Sequence, residues 1–404
     1  MALAVVLAVW LALPQTASPS ELPAVPLAAE AFSEFPVFVW RQDFHGEVLP
    51  KRVFAPFGGV NVEGSGSIPR IEGAQSSAAF YVGHAPGREE FHLRRTDPWY
   101  DAMWQQWYEE RDDSLLVRQP CLSDPETRES LLAQLERSLT ARDGNFGSAI
   151  SLGDEVGLTP AGDPLDLCHS EFCAQRAPAA NASTDAARLA WLEDDTSLIG
   201  PWLDRRRYHA DVVHSLLADV AAGARQLAPA APRALFGVKT QTAFGGVDVA
   251  RALEFVEWIE PYGDTLTREL CFTLRREDQR VFATLFPAND RPERAALRLD
   301  EHVLRGGQGA VIWSDRHLAR SAPYLDRLAR AVDETRTLRA KIKEVLGRSW
   351  APQTAGWAVF EDSDAVALSF LRDSLGDGPE LLLGRKALEV LRCEPEISER
   401  VFGR

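Results

Sequence analysis

The chain has 404 residues, 45% of them hydrophobic, enough to bury one large core and a smaller second one. Its 44 Lys and Arg against 59 Asp and Glu leave a formal charge of -15, a field that repels phosphate backbones and excludes nucleic acid as an expected partner. Neutral ligands such as sugars do not feel that field, and the 11 Trp offer indole faces on which the apolar C–H faces of sugar rings stack.

In chain order, the first signal is the apolar run from Leu3 to Leu13. It is too short to span a bilayer, and no later segment is long and apolar enough to do so. The small residues Thr16-Ala17-Ser18 follow it, as in a signal-peptide cleavage region, although no Lys or Arg follows Met1. Residues 1–34 therefore read as a leader and a Pro-, Ala- and Ser-rich linker, and the protein is expected to be exported.

From residue 35 onward, apolar strand-like runs alternate with helical stretches. The runs cover residues 37–40, 53–60 (interrupted by Pro56), 78–83, 148–153, 234–238, 255–259, 281–286 and 309–313. Between them, residues 125–142 place Leu131, Leu132, Leu135 and Leu139 at helical spacing behind Asp124, a candidate N-cap. Residues 204–227, 293–305 and 324–346 repeat the helical pattern. Strands alternating with helices imply a parallel sheet, and eight such units within residues 35–347 fit a (β/α)8 TIM barrel. An open doubly wound sheet is the alternative, but no Gly-rich phosphate loop follows the first strand. Residues 348–404 begin the pattern again, with a strand-like run at 356–360 and a helix from Asp362 through Leu371. They read as a partial α/β second domain.

The most informative dipeptide is Asp154-Glu155, at the carboxyl end of the fourth strand-like run. Acids delivered at strand tips are the layout of a barrel active site. A carboxyl among apolar walls there should hold its proton near neutrality and serve as a general acid. The same dipeptide could instead cap the next helix or pair with an Arg. The five Cys are too few and odd in number for a disulfide framework; Cys271 and Cys393 read as buried hydrophobes.

Four segments carry a resemblance to a known family. They are Arg118-Gln119-Pro120-Cys121-Leu122-Ser123-Asp124-Pro125, Gly153-Asp154-Glu155-Val156-Gly157, Cys168-His169-Ser170-Glu171-Phe172-Cys173, and Trp357-Ala358-Val359-Phe360-Glu361-Asp362-Ser363 with Leu371-Arg372-Asp373-Ser374 beyond it. Together they resemble the family 42 glycoside hydrolases, the bacterial β-galactosidase-like group, over residues 35 to 375. The segments resemble, in turn, the family's Arg-x-x-Cys-Pro-x-Ser-Pro stretch, its Asn-Glu-x-Gly acid/base stretch, its Cys-x-Cys-x-x-Cys loop without the middle Cys, and the start of its trimerisation domain. Residues 240–248 with Trp258-Ile259-Glu260-Pro261-Tyr262 resemble a divergent exported branch of the group. The last domain is shorter than the family's, so the chain reads as truncated.

The resemblance implies a β-galactosidase-like glycosidase whose partners are a carbohydrate substrate and other copies of itself. It makes Glu155 the general acid/base. Asp154 stands where the family has a sugar-contacting Asn. The family nucleophile, a Glu at the seventh strand tip, is missing: that tip reads Thr284-Leu285-Phe286-Pro287. Glu260 is the nearest substitute, with Glu269 and Asp290 as weaker ones. Arg118 is expected to bind a sugar hydroxyl or hold Glu155. Trp40 and Trp313, at the first and eighth strand ends, are expected to form an aromatic platform, with Tyr262 contacting substrate. Cys121, Cys168 and Cys173, with or without His169, resemble a zinc cluster, and a disulfide among them is equally open. No organic cofactor is implied. Lacking a second carboxylate, the chain would instead be a carbohydrate-binding barrel or a degenerate paralogue.

Overall fold

Strand β1 (Val37–Val39) sets the pattern. Val37 and Val39 pack into the layer between sheet and helices, whereas Phe38 packs into a second cluster with Tyr81, Phe236, Trp258 and Phe282. That is the period-2 alternation of a strand buried on both faces. In the computed structural model, residues 35–346 are described except 65, 89, 92–96, 158–167, 178–185, 188, 191, 192, 194, 239–246, 263, 264 and 290. The leader, the sequence expected to form a second domain, Asp290 and Cys393 lie outside the described residues.

The strands of the main sheet are β1, β3 (Gly58–Glu63), β5 (Ala79–Gly83), β6 (Ile150–Asp154), β7 (Arg233–Val238), β8 (Trp258–Pro261), β9 (Arg280–Val281), β10 (Ala283–Leu285) and β11 (Ala310–Ile312). All neighbours are parallel, in the order β10-β11-β1-β3-β5-β6-β7-β8-β9. The two ends of that order are consecutive pieces of one segment, separated only by Phe282. The ring therefore closes through residues 280–285 and has eight staves, a (β/α)8 barrel. Phe282 is fully buried and lies against Trp258, with ring centroids 4.9 Å apart. A Cβ on Gly309 would lie 2.3 Å from its ring, so only glycine leaves it room. Outside the ring, β2 (Val48–Leu49) and β4 (Arg70–Ile71) form a small two-stranded sheet.

Helices cover the ring. They are α1 (Lys51–Phe54), α2 (Pro98–Glu110), α3 (Pro125–Thr140), α4 (Glu171–Arg176), α5 (Ile199–Leu227), α6 (Val249–Ala252), α7 (Thr265–Leu274), α8 (Pro292–Leu304), α9 (Asp315–Arg320) and α10 (Ala322–Leu346). Asp124 caps α3, accepting from the Glu126 N–H, with Pro125 in the first helical position. No described helix is long and apolar enough to cross a membrane.

Two expectations need correction. The run at 53–60 is not one strand. Residues 51–54 form α1, because the Pro50 carbonyl accepts from the Val53 and Phe54 N–H groups, and β3 starts only at Gly58, beyond Pro56. The apolar run at 255–259 begins in a turn, and the strand occupies Trp258–Pro261. Helix α2 was not anticipated. Its aromatic-rich sequence buries Tyr100, Met103 and Trp107 against Leu116 in a satellite cluster of its own.

Candidate active site

The site begins with a break in strand regularity. The β6–β7 register shifts between Ser151 and Asp154, and the β7–β8 register shifts between Leu235 and Val238. Bulges of this kind re-aim side chains beside functional sites. Glu155, just past β6, has φ +51°, and Gly237 in β7 has φ +63°. For Glu155 this left-handed conformation is costly, on the order of 1–3 kcal/mol, and must be held by its surroundings. Its N–H donates to the Phe236 carbonyl at 3.3 Å.

Three carboxyl groups gather round Gly237. Its N–H donates to Glu260 Oε2 at 3.2 Å. A Cβ placed on it would lie 2.0 Å from Asp154 Oδ1 and 3.1 Å from Glu155 Cγ. Asp154 is 6% exposed and Glu260 2%, while Glu155 is half-buried nearer the rim. Tyr262 Oη donates to Asp154 Oδ1 at 3.2 Å. Burial pushes the Glu260 carboxyl well above the ordinary range, and the neighbouring charges of Asp154 and Glu155 push it further.

The hydrogen bonds from Thr284 and Gly237 pull the other way, but burial outweighs them. Thr284 Oγ1 lies 2.8 Å from Glu260 Oε1 and 3.1 Å from the Pro261 carbonyl oxygen. A hydroxyl has one proton to give. Thr284 is the donor to Glu260, with the Pro261 carbonyl as its alternative acceptor.

Beside Glu260 lies a small cavity lined by Trp40, Tyr81, Asp154, Phe236, Glu260, Tyr262, Thr284, Val311 and Trp313. It opens at the carboxyl ends of the strands. Trp40 follows β1 and Trp313 follows β11, with ring centroids 5.0 Å apart. The Trp313–Ser314 peptide is cis. Behind it, the buried Asp315 carboxylate accepts from the N–H groups of Gln42, Asp43 and Phe44, fixing the loop that follows Trp40.

Of the residues nominated from sequence, Asp154, Glu260, Tyr262, Trp40 and Trp313 line this cavity, and Glu155 stands beside it. Arg118 does not line it. Its buried guanidinium donates to the carbonyls of Pro120 at 2.7 Å, Glu90 at 2.5 Å and Gly157 at 3.4 Å. It braces the loop two residues beyond Glu155, and burial lowers its pKa to about 10. Glu269 lies on α7 in ion pairs with Arg305 and Arg268. Tyr81, Phe236 and Thr284 were not nominated. Period-2 counting up from Trp258 and Phe282 would have placed Glu260 and Thr284 on the inner face, but a strand buried on both sides does not declare which face is inner.

The three Cys form a separate buried cluster. Cys121 Sγ lies 3.2 Å from Cys168 Sγ and 3.7 Å from Cys173 Sγ, and the latter two are 3.2 Å apart. These are non-bonded separations, since a disulfide is about 2.0 Å long. Ser170 Oγ lies 3.0 Å from Cys121 Sγ, and the Ser123 N–H donates to it at 3.4 Å. These donors, led by the Cys168 and Cys173 thiols, lower the Cys121 pKa, while the Cys173 thiol is pushed up by its contact with Cys121. Three sulfurs this close suit the edges of a tetrahedral thiolate site, where each metal–sulfur distance is about 2.3 Å. The donor set fits a thiophilic ion. The described His169 ring is not part of the cluster.

No family model matches the sequence, and no curated protein does. Solved structures do resemble the fold. The β-galactosidase from Bacillus circulans sp. alkalophilus superimposes with a TM-score of 0.50 at 12% identity, covering 87% of this chain and 61% of that one. The cold-adapted β-galactosidase from Rahnella sp. R3 gives 0.50 at 13%, covering 88% and 63%. Gan42B, a GH42 β-galactosidase, gives 0.50 at 12%, covering 87% and 63%. The chain thus spans about three fifths of the length of these proteins. The likeness is one of fold alone: a (β/α)8 TIM barrel.

Proposed function

We propose that this barrel is a glycoside hydrolase that takes a neutral, β-galactoside-like or related glycan and cleaves it with Glu155 and Glu260. The observation that carries this reading is the gathering of three carboxyl groups round Gly237, beneath an aromatic-walled cavity at the strand tips. Among the described lining residues there is no Lys or Arg, so the cavity has nothing to neutralise a charged sugar.

In a two-carboxylate mechanism, Glu155 at the rim protonates the glycosidic oxygen as its bond to the anomeric carbon breaks. Glu260 below closes on that carbon as a carboxylate, and water then releases the sugar with Glu155 as base. Glu260 must first give up its proton, so turnover should rise with pH as the carboxyl ionises.

A second reading is binding without cleavage. It is favoured by the burial that raises the Glu260 pKa and by the apolar end of β10, where Leu285 leads into Phe286. A panel of nitrophenyl glycosides tests the two. Hydrolysis of at least one, reduced at least about a hundredfold by Glu155→Gln, supports the enzyme. Sugar binding with no turnover of any member supports the second reading, and turnover unchanged in Glu155→Gln excludes Glu155 as the acid.

The three-Cys cluster stands apart from this chemistry. Cys121, Cys168 and Cys173 would hold a zinc ion, which when bound supplies a structural cross-link. The residues themselves tie the segment before α3 to α4 and gather three sulfurs away from solvent.

A further inference from the structure

Tyr81 lies midway along β5, between the rings of Phe38 and Phe236, at centroid distances of 4.9 and 4.7 Å. The side chain is wholly buried, yet its hydroxyl has no hydrogen-bond partner among the described residues. Buried hydroxyls are rarely left so, because the lost contact with water costs free energy that nothing returns. Tyr81 lines the same cavity as Asp154, Glu260 and Thr284. The other inner polar groups there are paired with one another: Glu260 with Thr284 and Gly237, Tyr262 with Asp154.

We infer that the Tyr81 hydroxyl is a ligand-binding group, left open in the free protein so that a hydroxyl of a bound sugar ring can complete it. This rests on the carbohydrate reading above and adds a contact on the β5 side of the cavity. Burial and the nearby carboxyls of Glu260 and Asp154 raise the phenol pKa well above its usual value, so it stays neutral and able both to donate and to accept. With the tilted Trp40–Trp313 pair offering apolar faces, the ligand that suits these walls is a single uncharged ring bearing several hydroxyls.

The inference separates binding from stability, which a structural hydroxyl would not do. Tyr81→Phe in the full chain removes only the oxygen. The melting temperature of the sugar-free protein should stay the same or rise, since an unsatisfied polar atom is lost. The dissociation constant for the tightest of galactose, glucose, xylose and arabinose, read by calorimetry, should increase about fivefold to tenfold, the value of one hydrogen bond. A sugar-free Tyr81→Phe that melts several degrees lower would overturn the inference, because the hydroxyl would then have a partner, such as a buried water, in the free protein. So would a dissociation constant equal to that of the unmodified chain, which would leave the carbohydrate reading standing. If none of the four sugars binds the unmodified chain, the carbohydrate reading fails and takes the inference with it.

Discussion

At the scale of single residues, Gly237 does the most to organise the site. Its positive φ and the close approach of Asp154 require a residue without a Cβ, and its N–H holds Glu260. Gly237→Ala should lower the stability of the folded chain by about 2 kcal/mol or more, seen as a lower midpoint in urea. Equal midpoints would mean that the acids can move aside freely. Glu260 makes a second prediction. Its pKa is raised in the folded state, so the folded protein keeps a proton that the unfolded chain releases near the ordinary glutamate value. That contribution is fully present below the unfolded value and is lost as pH rises towards the folded one. Stability should therefore fall from about pH 5 upward through neutrality. Glu260→Gln should flatten that fall, since an amide can take the same two contacts, its oxygen accepting from Gly237 and its nitrogen donating to Thr284. Parallel curves for the two proteins would argue that Glu260 is ionised when folded.

At the scale of elements, what could be read from sequence followed from how strongly each segment repeats. Helices α3, α5, α8 and α10 carry long amphipathic patterns, and α3 also has its cap in plain view at Asp124. Strand β7 is a solid apolar run that follows the long helix α5. The misread segments lack such patterns. Residues 51–57 mix Phe and Val with Lys, Arg and Pro, and a turn of helix beat a strand there because Pro50 offers its carbonyl. Helix α2 has aromatic residues on several faces, since it packs a local cluster rather than the main core. Asp154-Glu155 could be located as a strand tip, but the register shifts that turn Asp154 inward come from pairing with β7, which no local pattern encodes. The Cys cluster could be named as a trio, while its sulfur separations needed the fold. Loading the protein with zinc and then stripping it with a chelator should lower its melting temperature by roughly 5 °C. About one equivalent of zinc, lost in Cys121→Ser, should be measurable by elemental analysis. No bound metal and no change on chelation would leave the thiols as packing alone.

At the scale of the whole molecule, the acidic balance and the cavity act in the same direction. A chain of charge -15 with carboxyls lining a cavity at its strand tips repels anions, by field at long range and by unmatched charge at short range. The ring of parallel strands also explains why tyrosine, threonine and glutamate from three distant stretches of sequence meet. Each occupies an inner position on its own stave, and closure alone brings them face to face.

The place where that ring is joined has a consequence of its own. The stave completing the circle is broken at Phe282, its lower part leaning on one neighbour and its upper part on the other. Thr284, whose hydroxyl donates to Glu260, belongs to the upper part. One short segment thus acts as both clasp and hydrogen-bond donor, so a slip of a single position along it would unfasten the circle and strip the buried acid of its companion together.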